Sequence, residues 1–317
     1  VKTFLCFDGG GTYVKYAVMT GEGEVLCRSK YETPRDDLNV FLSKIREIYE
    51  AYPDVSGIAL SMPGIIDIDK GYMRNAGAIR CCAGTCLCDM ISEQCGGLPV
   101  SVENDGKAAA RAEMVSGALK DADTGVVILL GTGIGGTVFV NRKIIRGNHL
   151  WAGELSYHYL RNQQLFGEEH IKDHDVFDSR YSTVCTPAGI VRRYAELSGE
   201  TGLKRTDCEL VFERMNQGDE NARLAVRDAA RDLAMMIFNI QCTIDPDAFA
   251  IGGGISEQDS YIDMLKEAVK AYVPSDQPLC PEPVIRVCRY RSDANLIGAL
   301  YRFYEQYGQH GSLVLGG

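Results

Sequence analysis

Short apolar runs, each closed by small or polar residues, recur along the first half of the chain. The first, Thr3-Phe4-Leu5-Cys6-Phe7, runs into Asp8-Gly9-Gly10-Gly11-Thr12-Tyr13-Val14-Lys15. The strand-like Tyr16-Ala17-Val18-Met19 follows, with a turn at Thr20-Gly21-Glu22-Gly23, and residues 24–33 continue the sheet. This pattern predicts a β-hairpin whose tight bend carries a carboxylate at its entrance and a hydroxyl at its exit. Leu38, Phe41, Leu42, Ile45 and Ile48 fall at helical spacing, which predicts an amphipathic helix over 37–51, ended by Pro53. Val55 to Leu60 reads as a buried strand opening into Ser61-Met62-Pro63-Gly64. Pro99 to Val102 is a short strand ending at Glu103-Asn104-Asp105-Gly106, and an alanine-rich helix is predicted from Lys107 to Ser116.

Gly125 to Leu130 is the next strand, and it enters Gly131-Thr132-Gly133-Ile134-Gly135-Gly136. These residues match the G-x-G-x-x-G spacing, but a dinucleotide-binding unit needs a helix next. Thr137 to Val140 is another strand instead, so the segment is a second glycine hairpin of the first kind. Two such hairpins predict a duplicated unit with two phosphate loops facing each other. Residues 161–182 are polar and irregular, and 185–241 are mostly helical, with one long helix from Asp219 to Asn239. Its apolar end, Leu233 to Ile237, reads as core. Ala248 to Ile251 is a strand followed by Gly252-Gly253-Gly254-Ile255-Ser256. A helix over 258–272, a strand over 284–288 and a last helix from Asp293 to Tyr307 complete the pattern, with Gly298 and Ala299 permitting close packing.

A chain of 317 residues is long enough for two domains. Its net charge of −10, without a basic cluster, argues against nucleic acid and anionic membranes as partners. No apolar run is long enough to span a bilayer, and no leader pattern opens the sequence, so a cytoplasmic protein is expected. In that setting the 12 cysteines are expected as reduced thiols. Cys81, Cys82, Cys86, Cys88 and Cys95 cluster without the paired C-x-x-C spacing of a zinc site. His170 and His174 stand four apart, but no further residues complete a metal set, and a solvated loop is the plainer reading.

Candidate chemistry sits at the strand ends. Glycines 9–11 let backbone N–H groups approach an anion, Asp8 suits Mg²⁺ directly or through water, and Thr12 and Lys15 suit phosphate oxygens. A glycine-rich hairpin with a solvated acid is the alternative for that stretch alone. Ser61, Pro63 and Gly64, and the small polar loop Asn75-Ala76-Gly77-Ala78-Ile79, suit a pocket wall. Asn104 and Asp105 stand at a strand's C-terminal edge before a helix, where α/β proteins place their chemistry; Asp105 as a simple helix cap is the alternative. Glu154, in Ala152-Gly153-Glu154-Leu155-Ser156-Tyr157-His158, is a candidate ligand contact.

Taken together the motifs resemble the actin-like ATPase (ribonuclease H-like) fold of sugar kinases, and most closely the ROK family (repressors, open reading frames and kinases). Asp8-Gly-Gly-Gly-Thr12-x-x-Lys15 resembles its first phosphate motif and Gly131-Thr132-Gly133-Ile-Gly-Gly136 its second. Gly252-Gly253-Gly254-Ile-Ser256 resembles its adenosine motif. The resemblance implies an α/β protein of two lobes with a cleft between them. The N-terminal lobe would span 1–115, with the helix over 293–308 packing back on it, and the larger C-terminal lobe would span 116–292. It implies Mg²⁺-assisted transfer of the γ-phosphoryl group of ATP to a hexose or glucoside hydroxyl, O6 above all. Asp105 would be the catalytic base, Asp8 the Mg²⁺ holder through water, and Gly10, Gly11, Thr12, Lys15, Gly131, Thr132, Gly133, Gly253 and Gly254 the nucleotide contacts. Ser61, Pro63, Gly64, Asn75, Gly77, Asn104, Asp105 and Glu154 would face the sugar, and a homodimer is the usual assembly.

Two departures stand out. Family members usually read Glu-x-Gly-His, followed by a Cys-x-Cys-Gly-x-x-Gly-Cys zinc loop that ends near a Glu. Here Ser156-Tyr157 replaces Gly-His, the cysteine motif is absent, and Asp178 lies near the place of that Glu. Structural zinc is therefore not expected, a feature the chain shares with some family members that phosphorylate glucose or β-glucosides. ROK repressors carry an N-terminal DNA-binding helix-turn-helix, whereas this sequence opens on its first strand, so kinase is expected over repressor. An N-acetylmannosamine kinase or fructokinase of the same family, a non-catalytic sugar sensor and a structural ATPase are the alternatives.

Overall fold

The apolar runs become two five-stranded sheets of one design. The computed structural model describes residues 1–160, 180–276 and 279–308. The chain divides into two units, each with its own sheet and core. The first unit holds residues 1–120, 146–152 and the segment from 289 onward; the second holds 121–145 and 153–288.

In the first unit β1 (Thr3–Gly9), β2 (Tyr13–Thr20) and β3 (Val25–Glu32) form an antiparallel meander. β4 (Ile58–Met62) then pairs parallel to β1, and β7 (Val100–Asn104) parallel to β4, in the order β3-β2-β1-β4-β7. Between β4 and β7 lies a small hairpin, β5 (Ile66–Asp67) and β6 (Tyr72–Met73). Burial is nearly continuous along β1, β4 and β7, as in parallel strands covered on both faces, while the edge strand β3 is mostly exposed. Helix α1 (Leu38–Ala51) is capped by Asp37 and buries Phe41, Leu42, Ile45 and Ile48. Helix α2 (Leu87–Gln94) buries Leu87, Cys88 and Ile91.

Helix α3 (Asp105–Val115) leaves the end of β7, two residues earlier than the alanine pattern alone indicates, because Asn104 acts as its cap. The strand β4 likewise sits slightly later than Val55–Leu60. The last helix, α9 (Ala294–Tyr307), packs on α3, β4 and β7. Its closest approach is at Gly298, where a Cβ would stand 1.7 Å from the carbonyl oxygen of Ala108 on α3. Backbone cannot yield there without parting the helices. Gly298→Ala is expected to lower stability by about 1–3 kcal/mol or more, read as a shift of the urea midpoint. An unchanged midpoint would mean that the α3–α9 contact is not tight.

In the second unit β8 (Gly125–Leu130), β9 (Ile134–Val140) and β10 (Lys143–Ile144) repeat the meander. β11 (Ala248–Gly252) and β12 (Ile285–Val287) add parallel strands, giving β10-β9-β8-β11-β12. The helices are α4 (Tyr181–Val184), α5 (Pro187–Ser198), α6 (Cys208–Asn216), α7 (Glu220–Ile244) and α8 (Asp259–Lys270). On α7 the buried Ala222, Ala225, Val226, Ala229, Leu233 and Ile237 recur at three and four residues, so this face is core. The helix runs on to Ile244, past Asn239, and closes at Asp245 in the left-handed region (φ 47°).

The cysteines are free thiols, and Cys82, Cys88 and Cys95 are buried in the first core. Burial pushes the thiol of Cys88 up to about 12 and that of Cys95 up to about 11. Among the described residues no group of three His, Cys, Asp or Glu side chains gathers as a metal site. His170, His174 and Asp178 lie outside the described residues. No described helix is long and apolar enough to cross a membrane.

Candidate active site

Three adjacent parallel strands of the first unit end on one edge. Asp8 is the last residue but one of β1 and Ser61 the last but one of β4, and β7 ends with Asn104 followed by Asp105; Asp8 pairs with Ser61, and Met62 with Asn104. The C-terminal edge of such strands is where open α/β sheets bind ligands. The bend of the β1–β2 hairpin lies beside it. The Gly10 N–H closes the bend on the Tyr13 carbonyl (3.0 Å), and the Thr33 hydroxyl donates to the Gly10 carbonyl (2.6 Å). A Cβ at Gly9 would meet the Met62 sulfur at 2.7 Å, and one at Gly11 would meet the Ala78 Cβ at 3.1 Å. The bend is thus seated directly on the strand β4 and on the Asn75–Ile79 loop.

Asp8 is buried. Asn295 Nδ2 on α9 donates to its Oδ1 at 2.8 Å, and Lys15 Nζ stands 3.7 Å from Oδ2, beyond hydrogen-bond reach. Burial pushes the Asp8 carboxyl up from its ordinary value; Asn295, Lys15 and the neighbouring Ser61 hydroxyl pull it back. That hydroxyl is fully buried yet completes no well-formed hydrogen bond. A buried carboxylate beside an orphaned hydroxyl is a hard-oxygen donor set that fits Mg²⁺ or its bound water.

The wall loops clasp each other. Gly64 has φ 106°, and a Cβ there would stand 2.2 Å from the Asn75 carbonyl oxygen. The backbones of Ile65 and Asn75 exchange hydrogen bonds of 3.0 and 3.2 Å, and the Asn75 side chain accepts the Gly77 N–H at 2.7 Å. Pro63 packs on Gly77, where a Cβ would meet the proline Cβ at 3.1 Å.

Asn104 is held at both ends of its amide. Its Nδ2 donates to the Gly64 carbonyl at 2.9 Å, and its Oδ1 accepts the Lys107 N–H at 3.1 Å. The cap of α3 is therefore Asn104, which corrects the reading of Asp105 as the cap. Asp105 occupies the first turn, where Oδ1 accepts the Gly106 N–H at 2.8 Å and the helix dipole favours its negative charge.

Behind this corner lies a buried ion cluster. Glu103 is fully buried and accepts two bonds from Arg146 (2.9 and 2.5 Å), one from Arg111 (3.1 Å) and the Asn104 N–H (2.9 Å). Burial pushes the Glu103 carboxyl up, but Arg146 and Arg111 outweigh it and hold it down at about 2. Arg111 also reaches Glu305 at 3.0 Å. Arg146 belongs to the 146–152 segment, which leaves the second unit's strands to join the first unit. Neither Glu103, Arg146 nor Asn295 was singled out from the sequence, since each acts through a partner far along the chain.

The second unit repeats the strand-end arrangement. The Gly131 N–H closes the β8–β9 bend on the Gly133 carbonyl at 3.0 Å. The neighbouring parallel strand β11 ends at Gly252 beside Leu129. Gly253 then turns with φ 94°, and a Cβ there would stand 2.1 Å from the Leu130 carbonyl oxygen. Gly254 has open space about its Cα, so Gly131–Gly133 and Gly253–Gly254 form one glycine-lined edge. Thr132 lines a cavity of about 640 Å³ with Thr183, Thr186, Val191, Arg192 and Arg205. Glu154 starts the 3-10 turn Leu155–Tyr157 against β9.

The ROK family model matches residues 4–305, nearly the whole described chain. The chain belongs to the ROK family. Among similar proteins, the β-glucoside kinase of Listeria monocytogenes serovar 1/2a is 28% identical over 96% of this chain and 98% of that one. The β-glucoside kinase of Klebsiella pneumoniae is 30% identical over 95% and 96%. Among solved structures, a ROK family protein of Streptococcus pneumoniae TIGR4 in complex with sucrose superposes with a TM-score of 0.82 at 29% identity, covering 96% of this chain and 98% of that one. The fold is the actin-like ATPase fold of the ROK sugar kinases.

Proposed function

We propose that the chain is an ATP-dependent sugar kinase that moves the γ-phosphoryl group of ATP onto a hydroxyl of a hexose or glucoside, O6 in the first place. The observation that carries it is the gathering of Asp8, Ser61, Asn104 and Asp105 at the C-terminal edge of β1, β4 and β7. It puts an acid suited to a cation and an acid suited to a proton on one sheet edge. The kinase names of full-length relatives support the same reading.

Phosphoryl transfer asks for positioning and charge neutralisation more than covalent help. Asp8, with Ser61 beside it, would hold Mg²⁺, which supplies charge neutralisation at the phosphate oxygens when bound. Gly10 and Gly131 shape their bends, and the following amides of Gly11, Thr12, Thr132 and Gly133, with the Lys15 ammonium, donate to phosphate oxygens. Gly253 and Gly254 let the nucleoside lie against backbone, with the cavity beside Thr132 as its place. Asp105 accepts the sugar hydroxyl proton. Gly64, Asn75 and Gly77 shape the sugar wall, Asn104 ties that wall to α3, and Glu154 meets sugar hydroxyls.

A coupled ADP-release assay over glucose, β-glucosides, N-acetylmannosamine and fructose tests this. ADP release that requires sugar, fastest with glucose or a glucoside, is expected. Release without sugar would make the chain an ATPase of another kind, and sugar binding without release a sensor. Protein purified without added metal is expected to hold far less than one zinc per chain by elemental analysis.

A further inference from the structure

Directly after Glu154 the second unit carries a built aromatic surface. Leu155 is buried, and a Cβ at Gly136 on β9 would meet its Cγ at 2.2 Å, so the turn is pinned to the sheet through this side chain. The Tyr157 N–H donates to the Glu154 carbonyl at 3.1 Å, closing a 3-10 turn. Three residues per turn place positions i and i+3 on one side. Glu154 and Tyr157 therefore share a side while Leu155 faces the core.

Tyr157 and Tyr159 are 45% and 43% exposed. The Arg180 guanidinium lies 5.2 Å from the centre of the Tyr157 ring and 5.4 Å from that of Tyr159, and donates to the Tyr159 hydroxyl at 3.3 Å. Backbone holds the group together: Tyr159 and Arg180 form an antiparallel bridge, and the Tyr181 N–H donates to the His158 carbonyl at 3.1 Å, with Tyr181 itself buried. Two exposed rings locked by one arginine make a preorganised surface that has apolar faces, hydroxyl tips and guanidinium donors.

We infer that Tyr157, Tyr159 and Arg180 form an acceptor subsite for the part of a glucoside beyond the phosphorylated sugar, a second pyranose or an aryl aglycone. A pyranose or phenyl ring offers a C–H or π face to the tyrosines, and ring hydroxyls accept from Arg180. The inference rests on the kinase reading and on Glu154 as a sugar contact. If Glu154 meets the reacting sugar, the next group on that side of the turn meets what is attached to it.

The test compares Tyr157→Ala and Tyr157→Phe with the unaltered chain. KM and kcat are measured for glucose, cellobiose and phenyl β-D-glucoside, and glucoside binding is measured by calorimetry. Tyr157→Ala is expected to raise KM and weaken binding of both glucosides about tenfold, the scale of one aromatic stacking contact. KM for glucose and all kcat values should hold, and Tyr157→Phe should match the unaltered chain. An equal loss for glucose and glucosides, no loss for either, or a Phe variant as impaired as Ala would overturn the subsite. Sugar-dependent ADP release with other hexoses but no glucoside binding would remove the subsite and leave the kinase. ADP release with no sugar in the panel would remove both.

Discussion

Asp105→Asn is expected to leave a folded chain that binds ATP and sugar but turns over about 10²–10⁴-fold more slowly, roughly 3–5 kcal/mol of barrier. Asn is close in shape to Asp but cannot take the hydroxyl proton. The structure sharpens the separation from a merely structural role. The cap of α3 is Asn104, so the substitution leaves its capping bond to the Lys107 N–H in place. What the helix loses is one negative charge in its first turn, worth about 0.3–1 kcal/mol of stability. A small shift of the urea midpoint should therefore accompany a collapse in kcat with little change in KM. Near-normal kcat in a folded variant would take Asp105 out of the chemistry.

Breaking the Glu103 cluster is expected to have the largest effect on stability. Glu103→Gln keeps the shape but leaves Arg146 facing a neutral amide in a largely buried site, with Arg111 retaining only Glu305. Removing one partner of a buried ion pair costs about 3–5 kcal/mol, far above the value of exposed pairs such as Lys44–Glu47 on α1 or Arg223–Glu220 on α7. The pH dependence gives a second reading. The Glu103 carboxyl is held at about 2 in the folded chain against 4.5 when free. Its folded pKa is depressed, so its stabilisation is present above pH 4.5 and lost as pH falls toward 2. A shift of that size corresponds to roughly 3 kcal/mol. Urea titrations from pH 7 down to the acid limit should show a slope between these values that Glu103→Gln flattens. Parallel pH profiles, with less than about 1 kcal/mol lost at neutral pH, would mean that the cluster behaves as a surface pair. Arg146 anchors the 146–152 segment to the strand that delivers Asn104 and Asp105.

The glycine hairpins were legible because their determinants are local. Strand-forming apolar runs on either side of Asp8–Thr12 and of Gly131–Gly133 leave the chain little choice but to bend there. The same holds for α1, whose apolar stripe and Asp37 cap lie within one stretch, and for the long helix α7. The family followed from the order of several such local motifs, which no single motif would have established. Boundaries were less legible where a neighbour decided them. α3 starts at Asp105 because Asn104 caps it while also holding the Gly64 loop, a contact 40 residues away in sequence.

Local residue patterns therefore set the elements, the two strand–glycine–strand units and the acids near the strand ends. Long-range packing is what brings those ends to one edge: β1 pairs with β4, and β4 with β7, across intervening helices and loops. It alone placed Asn295, 287 residues along the chain, on Asp8, and Arg146, 43 residues along, on Glu103. The reason is physical. Turn and helix signals act over a few residues, within reach of backbone conformation. A buried carboxylate, by contrast, must find its partners in whatever segment packs above it, and no spacing in the sequence records which segment that will be.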